Sequence, residues 1–198
     1  HKGDMYNAER FAEATFDSLR DRSNGLDQQS EEVAQGNYDL ANVIYKQKGD
    51  LMKAEMLVRE SLRIRIKLYD VNHLYIGYSS DLLASILMSQ HKMGDETKEL
   101  RERSLAIDIK HCGLDGKNTA VAYFNLGNFY HELVDTQLTT ETKIEHLYLS
   151  ESKYNEALRI FSKILGPDNT KTIQVTRTLS VISKELLRLE PASTMIMK

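Results

Sequence analysis

Between residues 37 and 47 the chain reads NYDLANVIYKQ, with Leu40, Ala41, Ile44 and Tyr45 on an i, i+1, i+4, i+5 stripe and polar residues elsewhere. That spacing gathers the apolar side chains on one side of a helix. Residues 51–68 keep the rhythm with Leu51, Ala54, Leu57, Val58, Leu62 and Ile64. Gly49-Asp50 stands between the two segments, a helix stop followed by a cap. Together they predict a helical hairpin, helix A then helix B. Gly94-Asp95 divides the next pair, and Gly3-Asp4 does so in a shortened first one.

The hairpins recur with a fixed period. Ser18, Ser61 and Ser104 stand 43 residues apart, in FDSLRD, RESLRI and ERSLAI. The pairs Leu40-Ala41, Leu83-Ala84 and Leu126-Gly127 are also 43 apart. Each serine precedes the next marker leucine by 22 residues, and the same 22 takes Ala157 to Leu179. The return leg is 21 residues twice and then 31, from Leu126 to Ala157. Ten residues are therefore inserted in the third unit, within 132–153. A small residue repeated at one register lets helix backbones approach, so Gly127 is expected to serve packing.

The segment YFNLGNFY matches the tetratricopeptide pattern W-x2-L-G-x2-Y, with Tyr123 in the tryptophan place followed by Leu126, Gly127 and Tyr130. The longer period resembles the tetratricopeptide repeats (TPRs) of kinesin light chains and nephrocystin-3-type proteins. DLANVIYKQKGDLMKAEMLVRESLRI, LRERSLAIDIKHCG and KYNEALRIFSKILGPDNTKT carry that resemblance, while YDVNH at 69–73 lacks the usual glycine. The implied fold is all-α, an α-α superhelix or solenoid of stacked hairpins. HEAT-like repeats fit the period but not the Leu-Gly/Ala and Gly-Asp signatures. The expected layout is one array over 1–190: a partial repeat 1–26, repeats 27–70, 71–113 and 114–166, and a final helix 169–190. Pro191 opens a flexible tail, 191–198.

Composition narrows the function. The 198 residues carry a formal charge of −3, with both signs interspersed and no basic run of the kind nucleic-acid binders concentrate. No apolar stretch approaches the ~18 residues of a membrane span. The single cysteine, Cys112, excludes an intrachain disulfide framework, and a cytoplasmic location is expected. The chain starts at His1 and reads as a piece of a longer protein.

Candidate chemistry is thin. HELVD at 131–135 lacks the second histidine of H-E-x-x-H, with Asp135 and His146 as the conceivable further ligands. No phosphate-binding glycine loop or nucleophile elbow occurs. Glu31-Glu32 and Ser79-Ser80 read as solvated or capping residues. The expectation is no enzyme, no metal and no cofactor.

The resemblance directs attention to the inner wall, which in such repeats is lined by A helices. Relative to the marker leucine, the first full unit offers Tyr38, Asp39, Asn42 and Tyr45 there; the second offers Asp81, Leu82, Ser85 and Met88. The third offers Phe124, Asn125, Asn128 and His131, and the last helix Arg177, Thr178, Val181 and Lys184. Asn42 and Asn128 share a register, and an asparagine can bond both the N–H and C=O of an extended peptide. A protein or peptide partner is therefore expected. The positions of a carboxylate clamp hold Tyr38 and Val121 or Asn125, which disfavours an EEVD-type tail. The insertion predicts a helix over 143–165, about 34 Å long at ~1.5 Å per residue. Thr142 to Glu145 forms its capping box, and helix A lengthens to about 137. Tyr148 and Leu149 on that projection, or the helix of 1–26, would serve self-association.

Overall fold

The structure, a computed structural model, describes residues 30–136 and 139–196, with side chains as far as Glu190. Seven helices and no strand occur among the described residues: α1 (Glu31–Lys46), α2 (Leu51–Leu68), α3 (Leu74–Ser89), α4 (Asp95–Cys112), α5 (Lys117–Val134), α6 (Thr140–Leu165) and α7 (Thr170–Ile196). They alternate as A and B, as the 43-residue period requires. The proposed helix of 1–26 lies outside the described residues.

The chain divides into two compact units between Ile107 and Asp108. In the first, Leu40, Ala41, Ile44, Val58, Leu83 and Ala84 form the centre of the core. In the second, Tyr154, Ala157, Ile160, Phe161, Val175 and Ile182 do so. The repeated small residues Ser61, Ser104 and Ala157 are all buried, and so is Gly127. A Cβ on Gly127 would lie 3.1 Å from three atoms of the Tyr154 ring. The glycine leaves room for the close approach of α6 to α5, where Ser150 Oγ donates to its carbonyl at 2.9 Å.

Helix ends follow a different rule from the one the sequence implied. Neither Gly49 nor Gly94 takes a left-handed conformation; Lys48 (φ 55°) and His91 (φ 59°) do. Gly49 N bonds to Ile44 O and Lys92 N to Leu87 O, the six-to-one closure of a Schellman motif. Lys48 and His91 are again 43 residues apart, so the caps repeat with the helices. Gly49 is explained by proximity, since its Cβ would meet Ile44 Cγ2 at 3.2 Å, whereas nothing surrounds Gly94 within 4 Å. Asp50 caps α2, its Oδ1 accepting from the amides of Met52 and Lys53. The 69–73 turn manages without glycine: Asp70 Oδ1 accepts from Asn72 N, and Tyr69 stacks on His73 at 3.9 Å.

The insertion is helical, with corrected boundaries. The cap of α6 is Thr139, whose Oγ1 accepts from Thr142 N, and Thr142 Oγ1 in turn donates to Thr139 O. The three-residue spacing is right, but it starts one threonine pair earlier than the Thr142 capping box. α5 ends at Val134, so it does not lengthen to 137. Instead α7 lengthens, to 27 residues, and Leu186 and Leu189 join the cluster holding Ile144 and Leu147. Tyr148 donates to Glu190, and Leu149 is half-buried rather than free. Helix α7 continues past Pro191 to Ile196, beyond the predicted end at 190. A proline inside a helix lacks an amide donor and crowds the carbonyl four residues back, so this last turn forms against a local cost.

Candidate functional site

Within the first unit the predicted inner residues lie on α1 and α3, with a second set of side chains beneath them. Arg65, on α2, is 1 % exposed. Its Nη2 donates to Glu31 Oε1 at 3.0 Å and Gln35 Oε1 at 2.5 Å, and its Nη1 to Ser79 Oγ at 3.0 Å. The guanidinium lies over the rings of Tyr38 and Tyr75 at 5.1 and 4.9 Å. Gln35 Nε2 continues the chain of bonds to Asp39 Oδ1, and Ser79 Oγ meets Ser61 Oγ at 3.2 Å. Glu31 and Ser79 are thus not ordinary solvated residues. They compensate a buried charge, which is costly to leave unpaired.

Arg101, on α4, has the matching role in the next hairpin. It is 4 % exposed and reaches up to Asp81 Oδ1 and the Asp81 carbonyl, to Ser85 Oγ at 3.0 Å and to Met88 Sδ at 3.4 Å. Three of the predicted inner residues are therefore tied to one guanidinium. Met88 is buried, so it does not line a surface as expected. Burial pushes the Tyr38 phenol up, and the charges of Asp81 and Asp39 add to this against the opposing Arg65. Tyr38 and Asp81 are thereby within electrostatic reach of each other. Asp39 is exposed, Asn42 and Tyr45 are half-buried, and Asn42 makes no side-chain hydrogen bond among the described residues.

In the second unit Tyr154, on α6, takes the place of Arg101. Its hydroxyl donates to Asn128 Oδ1 and its ring meets Phe124 edge-on at 5.5 Å. Burial, and then the charge of Glu132, push its phenol well above the ordinary value. Asn128 is consequently not an open counterpart of Asn42: its oxygen is already used. Phe124 and Asn125 join Val121, Phe161, Lys171 and Gln174 around a cleft of about 190 Å³ between α5 and α7. Lys171 Nζ stands over the Phe161 ring at 5.6 Å. His131 is half-buried on α5, while Arg177 and Lys184 are exposed on α7 and have no ion-pair partner among the described residues. Asp115, ahead of α5, pairs with Lys163 and with Arg159 at 2.5 Å; these partners hold its carboxyl down to about 2.

Sequence reasoning missed Arg65, Arg101 and Tyr154. A signal existed for two of them: Val58, Arg101 and Tyr154 each stand three residues before the small helix-B residue. A polar side chain at the register of buried Val58 must find partners on the facing A helix. As to metals, His131, Asp135 and His146 are not assembled, and no group of three potential ligands occurs among the described residues. No helix there is long and apolar enough to cross a membrane.

No protein-family model matches the sequence, and no curated protein does. Solved structures do. BtubC (BKLC) from P. vanneervenii aligns with a TM-score of 0.65 at 22 % identity, over 91 % of this chain and 66 % of that one. Two crystal structures of a kinesin light chain-type protein of Podosopora anserina, with nearly identical TPR-like repeats, give TM-scores of 0.71 and 0.70. Their identities are 15 % and 16 %, over 98 % and 100 % of this chain and 87 % and 90 % of theirs. The HEAT-like alternative is set aside by this likeness: the chain has the all-α solenoid fold of TPR-like repeats of the kinesin light chain type.

Proposed function

We propose that the chain is a non-catalytic scaffold that binds a peptide segment along the inner faces of its A helices. The reading rests on one observation above the rest. Phe124 and Asn125, picked out by register, border a cleft that combines phenyl walls with amide groups and a lysine. Such a mixture suits an extended peptide, whose apolar side chain enters the cleft while its backbone meets the amides. In the first unit the same role falls to Asn42, Tyr38 and Asp39, beside Asp81 and Ser85. Buried arginines fix several of these groups, which lowers the entropy lost on binding. Repeat arrays commonly work through such faces. A cytoplasmic setting suits the lone, exposed Cys112.

The test is a peptide library screened against the chain. A bound peptide should lose about tenfold in affinity, ~1.4 kcal/mol, when the asparagine of the unit it occupies is changed, Asn42→Ala in the first or Asn125→Ala in the second. Helix content by circular dichroism should be unchanged. Binding indifferent to both substitutions would place the peptide elsewhere and sink this reading.

A further inference from the structure

The B helices of the first unit carry a second surface, unrelated to the inner faces. Helices α2 and α4 border a furrow of about 340 Å³ with Leu62, Leu83 and Leu100 at its base. Along α2, Met52, Met56, Arg59, Arg63 and Ile66 follow a 4-3-4-3 spacing, the spacing of a seam that packs against another helix. Its three apolar members are 59 %, 71 % and 51 % exposed. Isolated exposed apolar groups need no explanation, but a row of them on one seam marks an interaction surface.

The charges identify the partner. Arg59 crosses the furrow to Glu96, bonding both carboxylate oxygens at 2.5 and 2.9 Å. One turn on, Arg63 bonds Glu60 of its own helix and no other acid among the described residues, an exposed contact that contributes little. Glu99 and Arg103 on α4 have no ion-pair partner among the described residues. An acidic partner would meet Glu96 and Glu99, and a basic one would meet the arginines. The α2 wall carries Arg59 and Arg63, and the α4 wall carries Glu96 and Glu99 followed by Arg103, so a second furrow of the same design offers each α2 arginine a carboxylate.

We propose that a second copy of this chain docks here, about a two-fold axis along the furrow, with α2 of each protomer over α4 of the other. Such an interface is isologous, so every contact is made twice. Arg63 of one protomer meets Glu99 of its partner, and Met56 and Ile66 lose their exposure. Two 18-residue helices are each about 27 Å long and about 10 Å wide with their side chains. The patch is then on the order of 500 Å² per protomer, below the ~800 Å² of a standard interface. Interfaces of that size belong to weak, transient association, so the dimer is expected at high protein concentration.

Sedimentation of the whole chain from about 5 to about 500 µM should show the weight-average mass rising toward twice the chain mass. Arg63→Glu and Glu99→Arg should each weaken association at least tenfold, with unchanged helix content. An equimolar mixture of the two variants should associate again, because each supplies the charge the other has lost. A chain monomeric throughout the range overturns the proposal. So does association that neither variant weakens, or the absence of rescue on mixing. Peptide binding to the inner faces is scored independently and survives either result.

Discussion

Removing Asp81 should destabilise the chain more than removing Arg101, although the two form one ion pair. The reason is their unequal burial. The Arg101 side chain is 5 % exposed and that of Asp81 33 %. In Arg101→Met the buried stem keeps its packing, and the carboxylate returns to water through the surface it already shows. The loss is one charge-assisted hydrogen bond and its neighbours, about 1–2 kcal/mol. In Asp81→Ala the guanidinium stays buried without its counter-charge. Stranding a fully buried charge costs about 3–5 kcal/mol. Here Ser85 Oγ and the carbonyl of residue 81 still accept from it, so about 2–3 kcal/mol is expected. The double variant should cost less than the sum of the singles, since the stranded charge is gone. Urea unfolding followed by far-ultraviolet circular dichroism, at one pH and salt concentration, measures all three. Equal or reversed costs for the single variants, or strict additivity, would refute the argument.

Lys48→Gly and His91→Gly should each stabilise by about 0.5–1 kcal/mol, because glycine takes the left-handed conformation without a Cβ penalty; no rise in the urea midpoint would count against the cap geometry. Gly127→Val should destabilise by roughly 2–3 kcal/mol, as branched carbons must displace the Tyr154 ring, and near-neutral behaviour would show that α6 does not approach as closely as described. Acid titration should separate wild type from Asp115→Asn: the lowered carboxyl contributes stability that is present above its unfolded value of 3.8 and lost as pH falls toward 2. The wild-type unfolding midpoint should therefore drop toward that of the variant between about pH 5 and 2; parallel curves would mean that the Lys163 and Arg159 contacts do not hold in solution.

The period made the hairpins legible. Leu40, Leu83 and Leu126 recur because each must fill the same hole, and helical spacing then states which side is buried. The left-handed residues were harder to see. Lys48 and His91 take a conformation usually given to glycine, and Gly49, one place on, drew attention away from them. Polar partnerships were harder still, because periodicity says that a face is covered but not which atoms meet across it. Thus Asn42 and Asn128 looked equivalent, and only Tyr154, on the facing helix of the insertion-bearing unit, makes them different. The length of α7 was hidden by Pro191, which reads as a helix end because proline lacks the amide donor that a helix interior uses.

Helix α6 gained its extra turns at its amino end, upstream of Ser150 and Tyr154, the side chains that lock it to α5. Residues added there shift nothing behind them, whereas one added between Tyr154 and Ala157 would swing the rest of the helix by about 100°. The third hairpin has thus a terminus where length can change without disturbing the contacts of Tyr154, provided α7 extends alongside to cover Ile144 and Leu147.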